Sequence, residues 1–254
     1  MLIAMATHAT TDNERTDLVE STLDHLMGID LDAHRIIVSD NGSNYQIQNT
    51  LSKLEILGRI QVIRNGSNIG TAKAINKVIA LRRPGEIVCK ADDDIIVPDM
   101  HWPDLAEWVM HQEPLIGILG LKRKDLEESP TNPNGMFRSR LAFAKREKGD
   151  AWVVVEHARS IIGTCIMMSP ALLNTVGFLH QPGVYGYDDV DISLRARLAG
   201  FHTAFLPSVE ILHPDPGGSQ FCQWKIDEAS KQGVEWSRAE ASYISGETPL
   251  YRGI

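Results

Sequence analysis

Only three cysteines occur in 254 residues, Cys89, Cys165 and Cys222, and they lie far apart, each in or beside apolar sequence. That is neither a disulfide framework nor a zinc-ligand spacing, and it predicts reduced thiols in a reducing compartment. Long apolar runs are missing as well: no stretch approaches the roughly 20 residues that span a bilayer. The first residues, Met1-Leu2-Ile3-Ala4-Met5-Ala6-Thr7, carry no basic run and read as a first strand, not as a targeting peptide. The expectation is a soluble, cytoplasmic protein with no membrane span. Positive charge is in deficit, with 25 Lys and Arg against 33 Asp and Glu and a formal net charge of -8. This argues against broad nonspecific attachment to nucleic acid. Neither G-x-G-x-x-G nor G-x-x-x-x-G-K-[ST] occurs, which disfavours a dinucleotide-dependent dehydrogenase and a P-loop ATPase.

What is present is an alternation of short apolar strands and amphipathic helices. Leu2 to Thr7 is strand-like, and Asn13 to Met27 has helical spacing that stops at Gly28. Arg35 to Ser39 is a second strand, broken at Asp40-Asn41-Gly42-Ser43. Tyr45 to Leu57 predicts a helix, Ile60 to Ile63 a third strand, Thr71 to Leu81 a helix and Glu86 to Lys90 a fourth strand. Four strands with helices between them predict an α/β fold, a mainly parallel sheet with helices on both faces. Each strand ends in a polar or glycine-rich turn. These ends gather on one edge of such a sheet, where a nucleotide lies.

The most informative of these turns follows the fourth strand. In Ile87-Val88-Cys89-Lys90-Ala91-Asp92-Asp93-Asp94-Ile95-Ile96-Val97-Pro98, an apolar run ends in three consecutive carboxylates. They repel one another unless a cation sits among them, and a hard divalent ion with a polyphosphate is the simplest such partner. The bland alternative is a solvated acidic turn capping a helix near Asp99.

The second half is less regular. Pro114 to Leu121 predicts a strand, and the segment from Lys122 to Asp150 is polar, broken by prolines and locally basic. It reads as a solvated loop or hairpin, with an acceptor-facing basic surface as the alternative. Ala151 to Glu156 and Ser160 to Met168 resume strand character, and a short helix opens at Ser169-Pro170 and stops at Gly177. Asp188 and Asp189 then stand where a helix begins, in the favourable field of its N-terminus, and Gly200 ends that helix. Phe201 to Leu206 and Val209 to Leu212 predict two more strands, ending at His213, and Ser219 to Gln232 a last helix.

The ordered set of motifs resembles the inverting glycosyltransferases of family two, which have the GT-A fold. It comprises the first strand and turn followed by Arg15; Asp40-Asn41-Gly42-Ser43; Asn68-Ile69-Gly70-Thr71-Ala72-Lys73; the aspartate triplet before Pro98; and Gly186-Tyr187-Asp188-Asp189-Val190-Asp191 with Arg195 and Gly200. The resemblance runs from Leu2 to about His213. It implies a GT-A-like domain over residues 1–213, with a nucleotide-binding half (1–98) and an acceptor half (99–213); the tail (214–254) reads from its own residues as a lid or packing element, with an oligomer contact as the equal alternative.

The same resemblance implies the roles. Thr7 and Asp40 would meet the nucleotide base and Asp92 the ribose, with His8, Arg15, Asn68, Gly70 and Lys73 also on the donor. A divalent ion, Mn²⁺ or Mg²⁺, would be held by Asp93, with Asp94 as second choice, and by His213. Ala91 departs from the pattern, standing where many members have the first aspartate of D-x-D. Asp189 would be the general base and Asp188 an acceptor-binding neighbour, although the family more often has Glu-Asp there. The expected activity is metal-dependent transfer from a UDP-sugar to the hydroxyl of a glycan or small molecule, with a hydroxymethylated base in DNA as a further acceptor class. Two other readings stay open: a nucleotidyltransferase, whose basic phosphate loop is missing after the first strand, and a non-catalytic nucleotide-sugar-binding module.

Overall fold

The structure, a computed structural model, describes residues 1–123, 137–145, 152–214 and 220–253. Its first half is the expected βα alternation: β1 (Leu2–Thr7), α1 (Thr16–Leu26), β2 (Arg35–Asp40), α2 (Tyr45–Ile56), β3 (Gln61–Arg64), α3 (Thr71–Ile79) and β4 (Val88–Ala91). Helix α4 (Trp102–Gln112) leads to β5 (Ile116–Arg123), β6 (Phe137–Lys145), β7 (Trp152–Ala158) and β8 (Cys165–Met168). Then follow α5 (Pro170–Val176), α6 (Asp188–Leu198), β9 (His202–Ile211) and α7 (Gln220–Ser245).

The strands form one sheet in the order β3-β2-β1-β4-β8-β5-β9-β7-β6. From β3 to β4 every pairing is parallel, and β5 pairs parallel with β9. Antiparallel pairs enter where β8 inserts between β4 and β5 and where β6 and β7 close the far edge. Successive side chains of a strand point to opposite faces, and this chain buries both. Ile3, Met5, Val38 and Cys89 pack with α1, α2 and α4, through Leu23, Leu51 and Trp102. Leu2, Ala4, Ile37 and Val88 pack on the other face with α3, α5 and α6, through Ile75, Leu173 and Ile192.

Local chemistry fixes the helix starts. The side chain of Asn44 accepts the Ile47 N–H (3.1 Å) and that of Ser169 the Leu172 N–H (3.1 Å), each satisfying a donor that the first turn leaves open. Helix α1 starts at Thr16 instead of Asn13, because Asn13 is spent on the preceding turn, where its side chain bonds Thr10 and His8. Where two strands were expected after Phe201, the chain runs as one strand through Pro207. The proline lacks an N–H, and it falls where the β5–β9 register jumps from Leu121↔Leu206 to Lys122↔Glu210, a bulge that asks for no bond from it.

The segment from 122 to 150 is a hairpin arm in part, β6 pairing with β7; its Lys124, Arg146 and Lys148 lie outside the described residues. Helix α7 runs past the expected stop at Gln232. Gly233 sits inside it, where a Cβ would meet the Tyr187 hydroxyl at 3.2 Å. No helix among the described residues is long and apolar enough to cross a membrane.

The C-terminal end of the chain is tied back to α5. Phe178 N–H donates to the Arg252 carbonyl and Arg252 N–H to the Val176 carbonyl, both at 2.9 Å. Gly177, at φ +75° and ψ -139°, lets the two strands of this bridge touch, and a Cβ there would overlap the Arg252 carbonyl. Gly177→Ala is expected to cost about 1–3 kcal/mol in urea unfolding, the range for enforced backbone strain. Gly58→Ala is the control: it also has positive φ but nothing within 4 Å. A loss at 177 no larger than at 58 would refute the tie.

Candidate active site

The chain winds outward from β1 to β3, then returns to the other side of β1 with β4. The crevice beyond the carboxyl ends of β1 and β4 is the switch point where ligands of open α/β sheets bind. A cavity of about 600 Å³ opens there. Among the described residues, the carboxylates of Asp92, Asp93, Asp94, Asp188 and Asp189 line it, with the cationic side chains of Arg15, Lys90, Arg123 and Lys225.

One wall comes from the ends of β1 and β2 and from the loop before α3. Thr7, His8, Asn41 and Asn68 line it. Among the described residues the buried Thr7 hydroxyl has no hydrogen-bond partner. Asn41 knits the loops: its side-chain N–H₂ approaches the Asn68 side chain (3.4 Å) and the Gly70 carbonyl (3.5 Å). Gly70, at φ +87°, caps α3, and a Cβ on it would meet the Val184 backbone at 3.1 Å. Asp40 sits beside Thr7 in strand register, and its buried carboxylate accepts the Ser43 N–H (2.9 Å). Lys73 stands on the exposed face of α3 and is not brought to the cavity.

The floor is the aspartate turn. Asp92 N–H donates to the Thr164 carbonyl (2.9 Å), and its carboxylate accepts from Lys90 Nζ (2.9 Å). Burial raises the Asp92 pKa, with repulsion from Asp94 and Asp188 adding to it and Lys90 opposing. Arg15 Nη2 reaches both Asp93 Oδ1 (2.7 Å) and Asp94 Oδ2 (2.8 Å). Burial alone would weaken the charge on Arg15, but the two carboxylates outweigh it and hold the guanidinium more firmly protonated than usual. His213 Nε2 lies 3.3 Å from Asp94 Oδ1, and Lys225 Nζ 4.0 Å from Asp94 Oδ2. Burial alone would raise Asp94 too, yet His213, Arg15 and Lys225 hold it well below the ordinary carboxylate range.

The opposite wall is the first turn of α6. Tyr187 takes a left-handed backbone conformation (φ +67°) and stacks on Trp236 of α7, at 5.8 Å between rings. This aims Asp188 and Asp189 into the cavity from a position that costs energy for any residue but glycine. Asp189 accepts the Gly163 N–H and its own Val190 N–H, both at 2.8 Å. Burial and repulsion from Asp188 nevertheless push it up to about 6, against the pull of Lys90 and these two N–H groups. Tyr185 and Trp224 close the mouth, with ring centroids 5.7 Å apart.

Sequence reasoning assigned no site role to Lys90 and Lys225; the aromatic approach at Tyr185 reads in the sequence as a pocket edge, and Trp224 as part of the last helix. For Lys90 a signal existed: a lysine inside an otherwise apolar strand that buries all four of its residues.

Together the fold and cavity define an α/β protein with a cavity at its sheet switch point, an acidic floor and a raised carboxylate facing it. The chain belongs to glycosyl transferase family 2, whose sequence profile matches residues 10–176. Over 190 residues it is 25% identical to the low-salt glycan biosynthesis hexosyltransferase Agl10 of Haloferax volcanii, a match covering 71% of this chain and 59% of that protein. Among solved structures it is similar to the mannosyltransferase PcManGT of Pyrobaculum calidifontis in complex with GDP-Man and Mn²⁺. The TM-score is 0.62 at 19% identity, covering 85% of this chain and 57% of that one. It is also similar to TarS 1-349 of S. aureus in complex with UDP-GlcNAc, with a TM-score of 0.59 at 17% identity over 83% of this chain and 58% of that one. At such identities the likeness is of fold, the GT-A fold. The chain spans under two thirds of the length of each of these relatives.

Proposed function

We propose that the protein is an inverting, metal-dependent glycosyltransferase that moves a sugar from a nucleotide diphosphate sugar, a UDP-sugar first, to a hydroxyl of a glycan or small-molecule acceptor. The observation that carries this is the facing arrangement in one cavity: the acidic turn Asp92–Asp94 with Arg15 and His213 on the floor, and the raised carboxylate of Asp189 on the wall. Thr7 and Asp40 take the nucleotide base, with His8, Asn68 and Gly70 shaping that end, and Asp92 takes the ribose. Residues 1–98 then form the donor half and 99–213 the acceptor half, with α7 as lid or packing element over the mouth.

Asp94 and His213 fit a divalent ion. The Asp94 carboxylate is an oxygen donor suited to Mn²⁺ or Mg²⁺, and Mn²⁺ also accepts imidazole nitrogen; Asp94 Oδ1 faces His213 Nε2 at 3.3 Å, and among the described residues His213 Nδ1 is buried without a hydrogen-bond partner. Asp93 stands beside them, sharing Arg15 Nη2 with Asp94. Asp94, His213 and Asp93 would hold the ion, which would meet the donor's diphosphate there. When bound, the ion neutralises the diphosphate as leaving group.

The chain's own residues do the rest. Asp189 takes the proton of the acceptor hydroxyl, and the oxygen forms its bond to the anomeric carbon from the face opposite the diphosphate. The bond to the diphosphate breaks with its electron pair leaving on phosphate oxygen, and the configuration inverts. Asp188 binds the acceptor, and Tyr185 and Trp224 offer flat apolar faces on which a sugar ring packs.

The test is a panel of nucleotide sugars with Mn²⁺, Mg²⁺ or EDTA, against glycan acceptors and hydroxymethylated DNA. One donor is expected to be consumed only with metal and acceptor. The product should have inverted anomeric configuration by NMR, and Asp94→Ala should abolish the metal response. If no donor is bound or consumed under any metal, the reading fails.

A further inference from the structure

Lys90 is an ammonium inside a buried strand, its side chain 4% exposed, among Val88, Cys89 and Ala91. Burying a charge there is costly unless several partners repay it. It has three, drawn from both halves of the cavity: Asp92 Oδ1 at 2.9 Å, the Gly163 carbonyl at 2.6 Å and Asp188 Oδ2 at 3.6 Å. The same Gly163 turns its N–H to Asp189 Oδ2. One peptide neighbourhood therefore links the ammonium to the base.

We propose that Lys90 is a positioning residue of this chain that locks the ribose-side carboxylate Asp92 to the acceptor-side pair Asp188 and Asp189, and keeps the base charged beside its neighbour Asp188. The proposal rests on the assignment of Asp189 as base. The charged groups facing Asp189 are Asp188 on its own helix and Lys90 from β4, with the Tyr185 hydroxyl and Asp92 nearby; the Gly163 and Val190 N–H groups complete its surroundings. Lys90 is the cation in that set, and it opposes both burial and Asp188. The carboxylates hold Lys90 itself protonated in spite of its burial.

Gly163 is the second handle. Its φ lies outside the left-handed region, so alanine strains no backbone there. An added Cβ would come within 3.0 Å of both Lys90 Nζ and Asp189 Cβ and would wedge them apart.

The experiment is a carboxyl ¹³C NMR titration of aspartate-labelled protein, with Asp189→Asn identifying the signal, in wild type, Lys90→Met and Gly163→Ala. Removing a close opposite charge raises a carboxylate pKa by about one unit or more, so the Asp189 midpoint is expected to rise that far in Lys90→Met. It should rise in the same direction, by less, in Gly163→Ala. Near pH 6 a one-unit rise lowers the ionised fraction about fivefold, and the acid limb of kcat/KM should move with it. A midpoint unmoved in both variants overturns the proposal, since a merely structural lysine would cost stability alone. If Lys90→Met does not fold, Gly163→Ala decides by itself. The titration needs no turnover, so its failure is separate from a failure to find transferase activity.

Discussion

Asp189→Asn is expected to lower kcat by about 10²–10⁴-fold, the range for removing a positioned general base. Donor binding, measured by calorimetry with the nucleotide sugar, should change little. Among the described residues the carboxylate receives two N–H groups, from Gly163 and Val190. The amide oxygen of asparagine takes the place of Oδ2 in the first of these with no change in size. The NH₂ group in place of Oδ1 gives up the Val190 N–H bond, and the ability to accept a proton is lost with it. The pH profile provides the second reading. A base works in its deprotonated form, and burial with repulsion from Asp188 puts Asp189 at about 6. Wild-type kcat/KM is therefore flat above that value and falls about tenfold per unit as pH drops below it. In Asp189→Asn that limb should vanish. A variant that keeps both its rate and its acid limb would move the base elsewhere.

Arg195→Met is expected to destabilise the fold by about 3–5 kcal/mol, the cost of stranding one partner of a buried ion pair. For a chain of this size that lowers Tm on the order of 10 °C by calorimetry. Arg195 and Asp191 are both fully buried, one helical turn apart on α6. The guanidinium gives Nε to Asp191 Oδ1 (2.6 Å), Nη1 to the carbonyls of Val176 (2.7 Å) and Leu250 (3.3 Å), and Nη2 to the Phe178 carbonyl (2.9 Å). It thus fastens α5, α6 and the C-terminal segment to one another. Methionine fills much of the space and leaves Asp191 charged with three carbonyls short of a donor. Arg195→Met with Asp191→Leu should recover part of the loss, because an apolar pair carries no unpaired charge. A single variant as stable as wild type would show that the knot contributes nothing.

These two cases also mark how far the residues can be read in a line. The acid motifs were legible because their positions are local facts. Asp92–Asp94 end an apolar strand, and Asp188-Asp189 open a helix, so both fall at element ends and gather at one sheet edge. Arg195 was legible only as part of a motif. Its carbonyl partners lie 17 to 55 residues away and carry no side-chain signature.

By itself the sequence determined the βα alternation, the parallel first half, the edge on which the turns gather, and the identity of the carboxylates, because hydrophobic periodicity and turn residues act over a few positions. It did not determine which charges meet. Arg15 reaches Asp93 from 78 positions away, and Gly163 joins Lys90 to Asp189 across 73 positions on one side and 26 on the other. His213 stands against Asp94, and Tyr187 is turned into a left-handed conformation beneath Trp236. Those pairings, and with them the raised Asp189 and the depressed Asp94, were decided by tertiary structure alone. A charge partner is chosen by distance and burial in the folded chain, and neither quantity is written in the order of the residues.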